Sequence, residues 1–561
     1  MDNYALADQL NLLSKLMDIH GENTFKAKAY AATAFAIEKI PQPLADVPKE
    51  KISSIKGIGE SAAKKIVELL ETGEMAALQE LLAQTPEGVL EMMNIKGLGP
   101  KKIHTLWKEM GINSIEALKE ACATNRIASQ KGFGEKTQQN ILEAIRYQQE
   151  NSGKYLYVQV EDFAEALQAK LQEKFSSYKF EITGDYRRQL DVIEKLEWVT
   201  TTPYELLKKF FDEPAFQLLA ESSENVEYLA NGMLRLKFYF SSEADFNLRL
   251  FTTTGSDSFL TFCRQREHWT EAITSENEHE VLKKLGLPYI PPPMREAPEM
   301  MERVAQQGVP SLIKLSDIKG LVHAHSNWSD GGYSIREMAA ELIRTGFEYL
   351  VLSDHSKAAF YANGLTEDRI RAQHREIEQL NKELAPFKIF KSIECDILND
   401  GDMDFAPDVL ATFDVVIASV HSNLQMTEEK AMKRLLGAIT NPYVSILGHM
   451  TGRLLTKRKG YPVDHKAIIE ACVANNVVIE INASPQRLDM DWRWIDYALQ
   501  KGVLLSINPD AHTMDDYRWL KYGVLVAQKG GLTKAQNLSS CSLAEFEAFI
   551  HQQKQKRRIT Q

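Results

Sequence analysis

The side chains best suited to chemistry crowd into the chain beyond Gly320, which carries nine of the thirteen histidines. His323-Ala324-His325 sets two imidazoles two residues apart, so that on a strand both face one way. Asp510-Ala511-His512 repeats that spacing further on. Between them stand Asp330 in SDGG, His355 in LSDHS, Glu394 in SIECD, His421 in ASVHS and His449 in LGHM. Nine such ligands meeting at one barrel mouth could hold two or three divalent metals. Imidazole with carboxylate suits zinc, manganese or iron better than magnesium. A carboxylate bridging two metals would hold an activated water opposite a phosphorus atom. A lone strand-end histidine is more often structural, and His374, His465 and His551, on predicted helices or tails, read that way. The ordered series HxH, SDG, DH, E, H, GH, DxH reads as a metal site.

The elements that must position these residues are short apolar strands alternating with helices. YLVLSDH, VVIASVHS, VSILGHM, VVIEINAS and VLLSINPDAH each run into polar residues at their C-terminal ends. That repetition predicts a parallel sheet or barrel with the active residues at the strand ends. Upstream, residues 1 to about 150 show helical periodicity. The segment from about 155 to 255 mixes helices with alternating strands, among them MLRLKFYFSS and DFNLRLFTTT. The Pro-rich bend Leu287–Pro293 suits neither a helix nor a central strand.

Within the helical part a Lys-Gly-hydrophobic-Gly frame recurs at Lys56-Gly57-Ile58-Gly59, Lys96-Gly97-Leu98-Gly99 and Lys131-Gly132-Phe133-Gly134. Each copy is followed by a lysine-bearing helix, which brings Lys65, Lys101 and Lys102 alongside. Such a turn permits positive φ and leaves helix N–H groups free for a phosphate oxygen. The lysines add a sequence-independent attraction to a nucleic-acid backbone. One copy reads as a tight helix connection; repeated copies read as DNA-backbone contacts, the helix-hairpin-helix motif by resemblance.

The length of 561 residues exceeds what one core can serve, and the formal net charge of −11 argues against nucleic-acid binding over the whole surface while allowing a local basic track. No apolar run is long enough to span a membrane, and the N-terminus lacks signal-peptide regions. The scattered cysteines, Cys122, Cys263, Cys395, Cys472 and Cys541, suit a reducing cytoplasm and no thiolate zinc site. The tail Lys554-Gln555-Lys556-Arg557-Arg558 reads as a solvated charge run.

LVHAHSNWSDGGYSIREMAAEL, LVLSDHS and the later ligands resemble the polymerase-and-histidinol-phosphatase (PHP) domain. That resemblance implies a distorted (β/α)7 barrel, a trinuclear site with all nine ligand positions filled, and phosphoester hydrolysis. Arg453, in HMTGRLL, could contact a phosphate or serve in a surface salt bridge. The rest of the chain resembles bacterial family X DNA polymerases carrying a C-terminal PHP domain. TFKAKAYAATAFAIEKI looks like the lyase-type domain, and GLPYIPPPMRE with LSDIKGLVHAHS looks like the thumb-to-PHP junction. The implied fold class is multidomain α/β. It comprises a helical lyase-like domain (1–85), a fingers-like helix-hairpin-helix domain (86–150), a nucleotidyltransferase-like α+β palm (151–255), a thumb and linker (256–318) and the PHP barrel (319–561).

The family's palm pattern is Gly-Ser-x-Arg-Arg and then Asp-x-Asp. Here Thr183-Gly184-Asp185-Tyr186-Arg187-Arg188 keeps the frame but puts Asp185 for serine, Lys195 and Glu197 stand at the Asp-x-Asp positions, and Asn247 is aligned with the third carboxylate. The family's Thr-Gly-Ser segment is read as lost around Cys263-Arg264-Gln265-Arg266. Two-metal phosphoryl transfer needs anionic oxygen ligands, so polymerase activity is expected to be weak or absent. The other register would use Asp185, Asp191, Glu194 and Asp245. Lys65 falls at the family's lyase position, where a Schiff base or a plain backbone-binding lysine would serve. The resemblance thus implies a DNA-repair 3′–5′ exonuclease or abasic-site endonuclease acting on gapped or 3′-terminal DNA, alone or with other repair proteins. The alternatives are a gap-filling polymerase with a proofreading PHP domain, a non-catalytic DNA-binding scaffold and a small-molecule phosphatase.

Overall fold

The computed structural model describes residues 3–37, 40, 42–95, 97–272 and 276–559, so Lys96 of the second hairpin lies outside the described residues. The chain forms two compact units, Met1–Ser152 and Gly153–Gln561. The first unit is helical. Leu6, Leu10, Ile66, Leu118 and Ile141 lie in its core, and the hairpin residues Ile58 and Leu98 are anchored there too.

The second unit begins with the helix Tyr157–Lys174 and a five-stranded sheet. Its strands are β1 (Phe180–Thr183), β2 (Lys195–Thr200), β3 (Phe216–Glu221), β4 (Asn225–Ala230) and β5 (Leu234–Phe240). They lie in the order β1-β2-β5-β4-β3, with only β2 and β5 parallel. Trp198, Phe211 and Phe238 fill its inner face. DFNLRLFTTT, expected as a strand, is the helix Phe246–Thr254. The run fits both periods, and Phe246, Leu250, Phe251 and Thr254 turn the helical face inward. A helical core around Phe259, Val281 and Met301 follows.

The barrel strands are β6 (Gly320–Ala324), β7 (Tyr349–Leu352), β8 (Lys388–Asp396), β9 (Val415–Ser419), β10 (Ile446–Leu447), β11 (Val478–Asn482) and β12 (Leu505–Asn508). All are parallel and neighbour one another in chain order. The Ala324–Ala511 bridge brings the two edges together, with His325 N–H donating to the Ala511 carbonyl at 2.8 Å. Burial on both faces explains the continuous apolar runs. The end away from the ligands is covered by the helix Leu543–Ile559, whose Phe546 ring packs 4.6 Å from that of Tyr349.

The basic tail belongs to this helix, and its described basic side chains Lys554, Lys556 and Arg557 bond to the barrel rather than standing free in solvent. Lys554 pairs with Asp414 at 2.6 Å, Lys556 donates to the Val444 carbonyl at 3.1 Å, and Arg557 donates to the Phe413 carbonyl at 2.8 Å. These carbonyls precede β9 and β10 and need donors where the sheet ladder has not begun. No helix among the described residues is long and apolar enough to cross a membrane, and the five cysteines are unpaired.

Candidate metal centre

The strand ends bring all nine candidate ligands together. Glu394 on β8 lies at the middle of the cluster. Its Oε1 is 3.3 Å from His323 Nε2, 3.1 Å from His421 Nε2 and 2.9 Å from His449 Nε2. Its Oε2 is 2.9 Å from His355 Nδ1 and 3.7 Å from His325 Nε2. Asp510 Oδ1 lies 3.0 Å from His325 Nε2 and 3.4 Å from His323 Nε2. Asp330 Oδ1 faces His355 at 3.7 Å, His512 at 3.6 Å and His325 at 4.0 Å. Three groups have donor atoms close enough to share an ion: His325-Asp330-His355-His512, His323-His325-Glu394-Asp510 and His355-Glu394-His421. They overlap, as a site for several metals requires.

His323 and His325 do not converge through simple strand alternation. His323 has φ +66, and the register with β7 shifts between Val322 and Ala324. Asp510, at the facing edge, has φ +54. Left-handed backbone at a non-glycine residue costs on the order of 1–3 kcal/mol and is tolerated where surrounding structure fixes it.

Neighbouring acceptors fix the rings. Glu480 Oε2 accepts from His323 Nδ1–H at 2.6 Å, Asp396 faces His421 Nδ1 at 3.3 Å, and the Asp510 carbonyl accepts from His512 Nδ1–H at 3.0 Å. Each of these rings therefore turns Nε2 inward. Glu480 is held in turn by Asn482, Asn508 and the His449 N–H at 2.8–3.0 Å. Asp354, beside His355, accepts from Ser326 N–H at 2.8 Å and Gln373 at 2.6 Å, which ties down the loop carrying Asp330.

The charges are strongly coupled. Burial raises the Glu394 carboxyl, but His421, His323 and His355 outweigh it and hold the group well below the usual carboxylate range. Burial lowers His421 and His512, yet Glu394 and Asp396 bring the first to about 10, and Asp330 and Asp510 bring the second to about 9. His325 is pushed down to about 3 by burial and then by His512 and His355. His323 Nε2, His325 Nδ1, Glu394 Oε2 and His449 Nδ1 are buried without a hydrogen-bond partner. An unsatisfied buried polar atom costs about 1–3 kcal/mol, which a coordinated cation would offset. The donor set and these orphaned atoms fit divalent metals.

Sequence reasoning missed Glu480, Asn482 and Arg487. A carboxylate and an amide two residues apart inside the apolar strand VVIEINAS were the available signal. Arg487, not Arg453, meets a ligand: its Nε lies 3.7 Å from Asp510 Oδ2. Arg453 is turned to the loop beyond β11. Its Nε donates to the Arg487 carbonyl at 2.9 Å, its Nη1 to Asp491 at 2.6 Å, and Asp191 lies 3.6 Å away. These contacts position Arg487's loop and leave Arg453 in the salt-bridge role.

In the palm, Lys195 Nζ pairs with Glu197 Oε1 at 2.9 Å, and Tyr239 donates to the same oxygen at 2.8 Å. The strand neighbour of Glu197 on β5 is Lys237, opposite Glu227 on β4. Asn247 is a correction: it sits half-buried on the helix Phe246–Thr254 and donates to the Glu276 carbonyl, so it does not share the sheet with Glu197. The Thr-Gly-Ser segment is also present, as Thr254-Gly255-Ser256, with Thr254 Oγ1 2.9 Å from Thr183 Oγ1. Cys263–Arg266 lie one helix later. The other register gathers no site. Asp185 pairs with Arg188 at 2.5 Å, Asp191 faces Arg453, Glu194 faces Lys154 at 3.4 Å, and Asp245 accepts from Ser242 at 2.6 Å.

In the helical unit, Gly57, Gly97 and Gly132 have φ of +94, +92 and +91. Gly59, Gly99 and Gly134 each stand at a helix N-terminus. Phe133 is only partly buried, and Lys102 lies 5.7 Å over its ring. Lys101 is exposed, Lys102 donates back to the Gly97 carbonyl at 3.2 Å, and Lys65 pairs with Glu68 at 2.7 Å.

Comparison with known proteins adds a family frame. A helix-hairpin-helix domain matches residues 1–75, and a SAM-like helix-hairpin-helix tandem matches residues 89–146. The DNA polymerase/3'-5' exonuclease PolX of Bacillus subtilis (strain 168) is 34% identical over 96% of this chain and 98% of its own length. A probable phosphatase of Thermoanaerobacter sp. (strain X514) is 25% identical over 42% of this chain and 95% of its own. DNA polymerase lambda of Rattus norvegicus is 27% identical over 26% of this chain and 24% of its own.

Proposed function

This chain belongs to the bacterial DNA polymerase/3'-5' exonuclease PolX family, and on that premise we propose that it is a DNA-repair phosphodiesterase whose hydrolytic centre is the barrel cluster. The observation that carries this reading is Glu394, buried with five imidazoles within 3.7 Å of its oxygens. Two or three zinc or manganese ions suit His323, His325, Asp330, His355, Glu394, His421, His449, Asp510 and His512. Once bound, such ions activate water and stabilise charge on the phosphoryl oxygens.

The chain's own residues do the rest. Glu480, Asp396 and the Asp510 carbonyl hold the ring tautomers. Arg487 supplies a cation beside Asp510 for a DNA phosphate. Arg453 and Asp491 keep that arginine's loop in place. The hairpins, with Gly57, Gly59, Gly97, Gly99, Gly132, Gly134, Lys101 and Lys102, grip the backbone without reading sequence. Lys65 acts as a backbone-binding or structural lysine. The substrate is a 3′ end or an abasic site, in gapped or terminal DNA. The test is dNMP release from 3′-labelled DNA in manganese. EDTA and His323→Ala should each abolish it, and equal release by His323→Ala would remove the metal-centre reading.

A second reading concerns the palm. The relative's name includes DNA polymerase, which favours an active gap-filling enzyme whose barrel proofreads. Weak or lost polymerisation is favoured by the Lys195–Glu197 pair and by Lys237 beside it, because two-metal transfer needs anionic ligands. Primer extension by a Glu394→Gln chain separates the two. Clear dNTP incorporation establishes the polymerase, and its absence beside intact primer binding supports the loss.

A further inference from the structure

We propose that Phe360 and Tyr361 form an aromatic platform at the barrel mouth that stacks the terminal bases of a single-stranded 3′ end. The inference rests on the reading of the barrel as a DNA phosphodiesterase and names how that site selects its substrate.

The loop that carries these residues leaves the barrel at the ligand His355 and returns to it, since the Leu365 N–H donates to the His355 carbonyl at 2.8 Å. Its root is fixed by Ser356 N–H to the Glu394 carbonyl at 3.0 Å and by Ala358 N–H to Asp404 at 2.7 Å. Its far side is tied to the loop carrying Asp330. Asn363 Nδ2 donates to the Trp328 carbonyl at 3.3 Å, and Arg369 donates to the Asn363 carbonyl at 2.6 Å. The turn Phe360–Ala362 is thus held between two ligand-bearing loops.

On this held turn the aromatic rings face water. Phe360 is 85% exposed and Tyr361 60%, with ring centroids 6.0 Å apart and planes at 78°. Phe360 is the most exposed large apolar side chain among the described residues of its unit. Neither ring makes the bonds that hold the turn, which come from the backbone and from Asn363, Asp404 and Arg369. Tyr361 stands six residues beyond the candidate ligand His355, in the loop that closes back on it at Leu365.

Two exposed rings beside an anionic, metal-fitting cluster suit a ligand that offers an aromatic face next to a phosphate. An unpaired nucleobase is that ligand, because every base has a π face and stacking is indifferent to sequence. Continuity with the metal centre singles out the base at the scissile end. A small phosphate ester would leave the rings without a partner.

The test compares wild type with the Phe360→Ala/Tyr361→Ala chain on a 3′-labelled single-stranded oligonucleotide in manganese. KM should rise about 5- to 100-fold, in line with stacking of one or two bases, with kcat within about threefold. With the two 3′-terminal nucleotides replaced by abasic tetrahydrofuran units, the two chains should share one KM. Phe360→Trp/Tyr361→Trp should restore the wild-type KM on normal DNA. Equal turnover of methyl p-nitrophenyl phosphate by all three chains shows that the centre is intact. An unchanged KM in the double alanine chain, or an equal rise on abasic ends, overturns the platform while His323→Ala stays inactive. A His323→Ala chain that releases dNMP at the wild-type rate overturns the nuclease reading and the platform with it.

Discussion

Glu480 stands behind His323 and sets which nitrogen His323 turns inward. Glu480→Gln should therefore cut dNMP release about 10- to 100-fold, the usual effect of losing the partner behind a metal-ligating histidine. Its thermal midpoint should stay near wild type, and an unchanged rate would show that His323 is oriented by something else. His374 tests the residues set aside as structural. It is buried edge-on to Phe413, and burial with the nearby Lys391 pushes it down to about 4. The unfolded chain takes up that proton near pH 6.5 and the folded chain does not, so this stabilisation is complete above pH 6.5 and is lost as pH falls toward 4. His374→Leu should lose stability less steeply than wild type over that window in urea titrations at successive pH values; parallel curves would contradict the assignment. At this scale the candidate ligands could be picked out because they stand at or beyond the ends of six apolar strands. Arg487 and Glu480 were not, because their roles depend on which strands become neighbours.

Among the elements, the turn at Gly184 is the most demanding in the palm. Its φ is +65, and a Cβ there would overlap the Glu197 carboxylate. Gly184→Ala should destabilise the second unit by more than about 1 kcal/mol, read as a drop of several degrees in Tm; an unchanged melt would mean that Glu197 moves freely. The same region marks where sequence reasoning ran out. DFNLRLFTTT supports strand and helix equally, and the sheet had already paired its strands without it. Treating it as a strand set Asn247 beside the Lys195–Glu197 strand, where the sheet instead pairs Lys237 with Glu197. At the barrel, alternation suggested how His323 and His325 converge, but the bulge at His323 does the work. A left-handed histidine has no sequence signature of its own.

At the scale of the whole molecule, a chain of net charge −11 is expected to hold DNA through a local track. Lys101→Ala/Lys102→Ala should weaken binding of unrelated DNA sequences alike and lower the slope of log affinity against log salt by about 1–2. A slope unchanged from wild type would move the contact elsewhere. The alternation of helical, mixed and barrel segments was legible because each has its own hydrophobic period, whereas the closing of β6 against β12 needed long-range pairing. In the proposed function, one cluster around Glu394 carries the hydrolysis. The direct measurement is the rate of dNMP release from 3′-labelled gapped DNA in manganese by Glu394→Gln beside wild type, with bound metal counted in both. Metal content and release should fall together in the variant, release by at least about 100-fold. Release at the wild-type rate, with or without bound metal, would contradict that assignment.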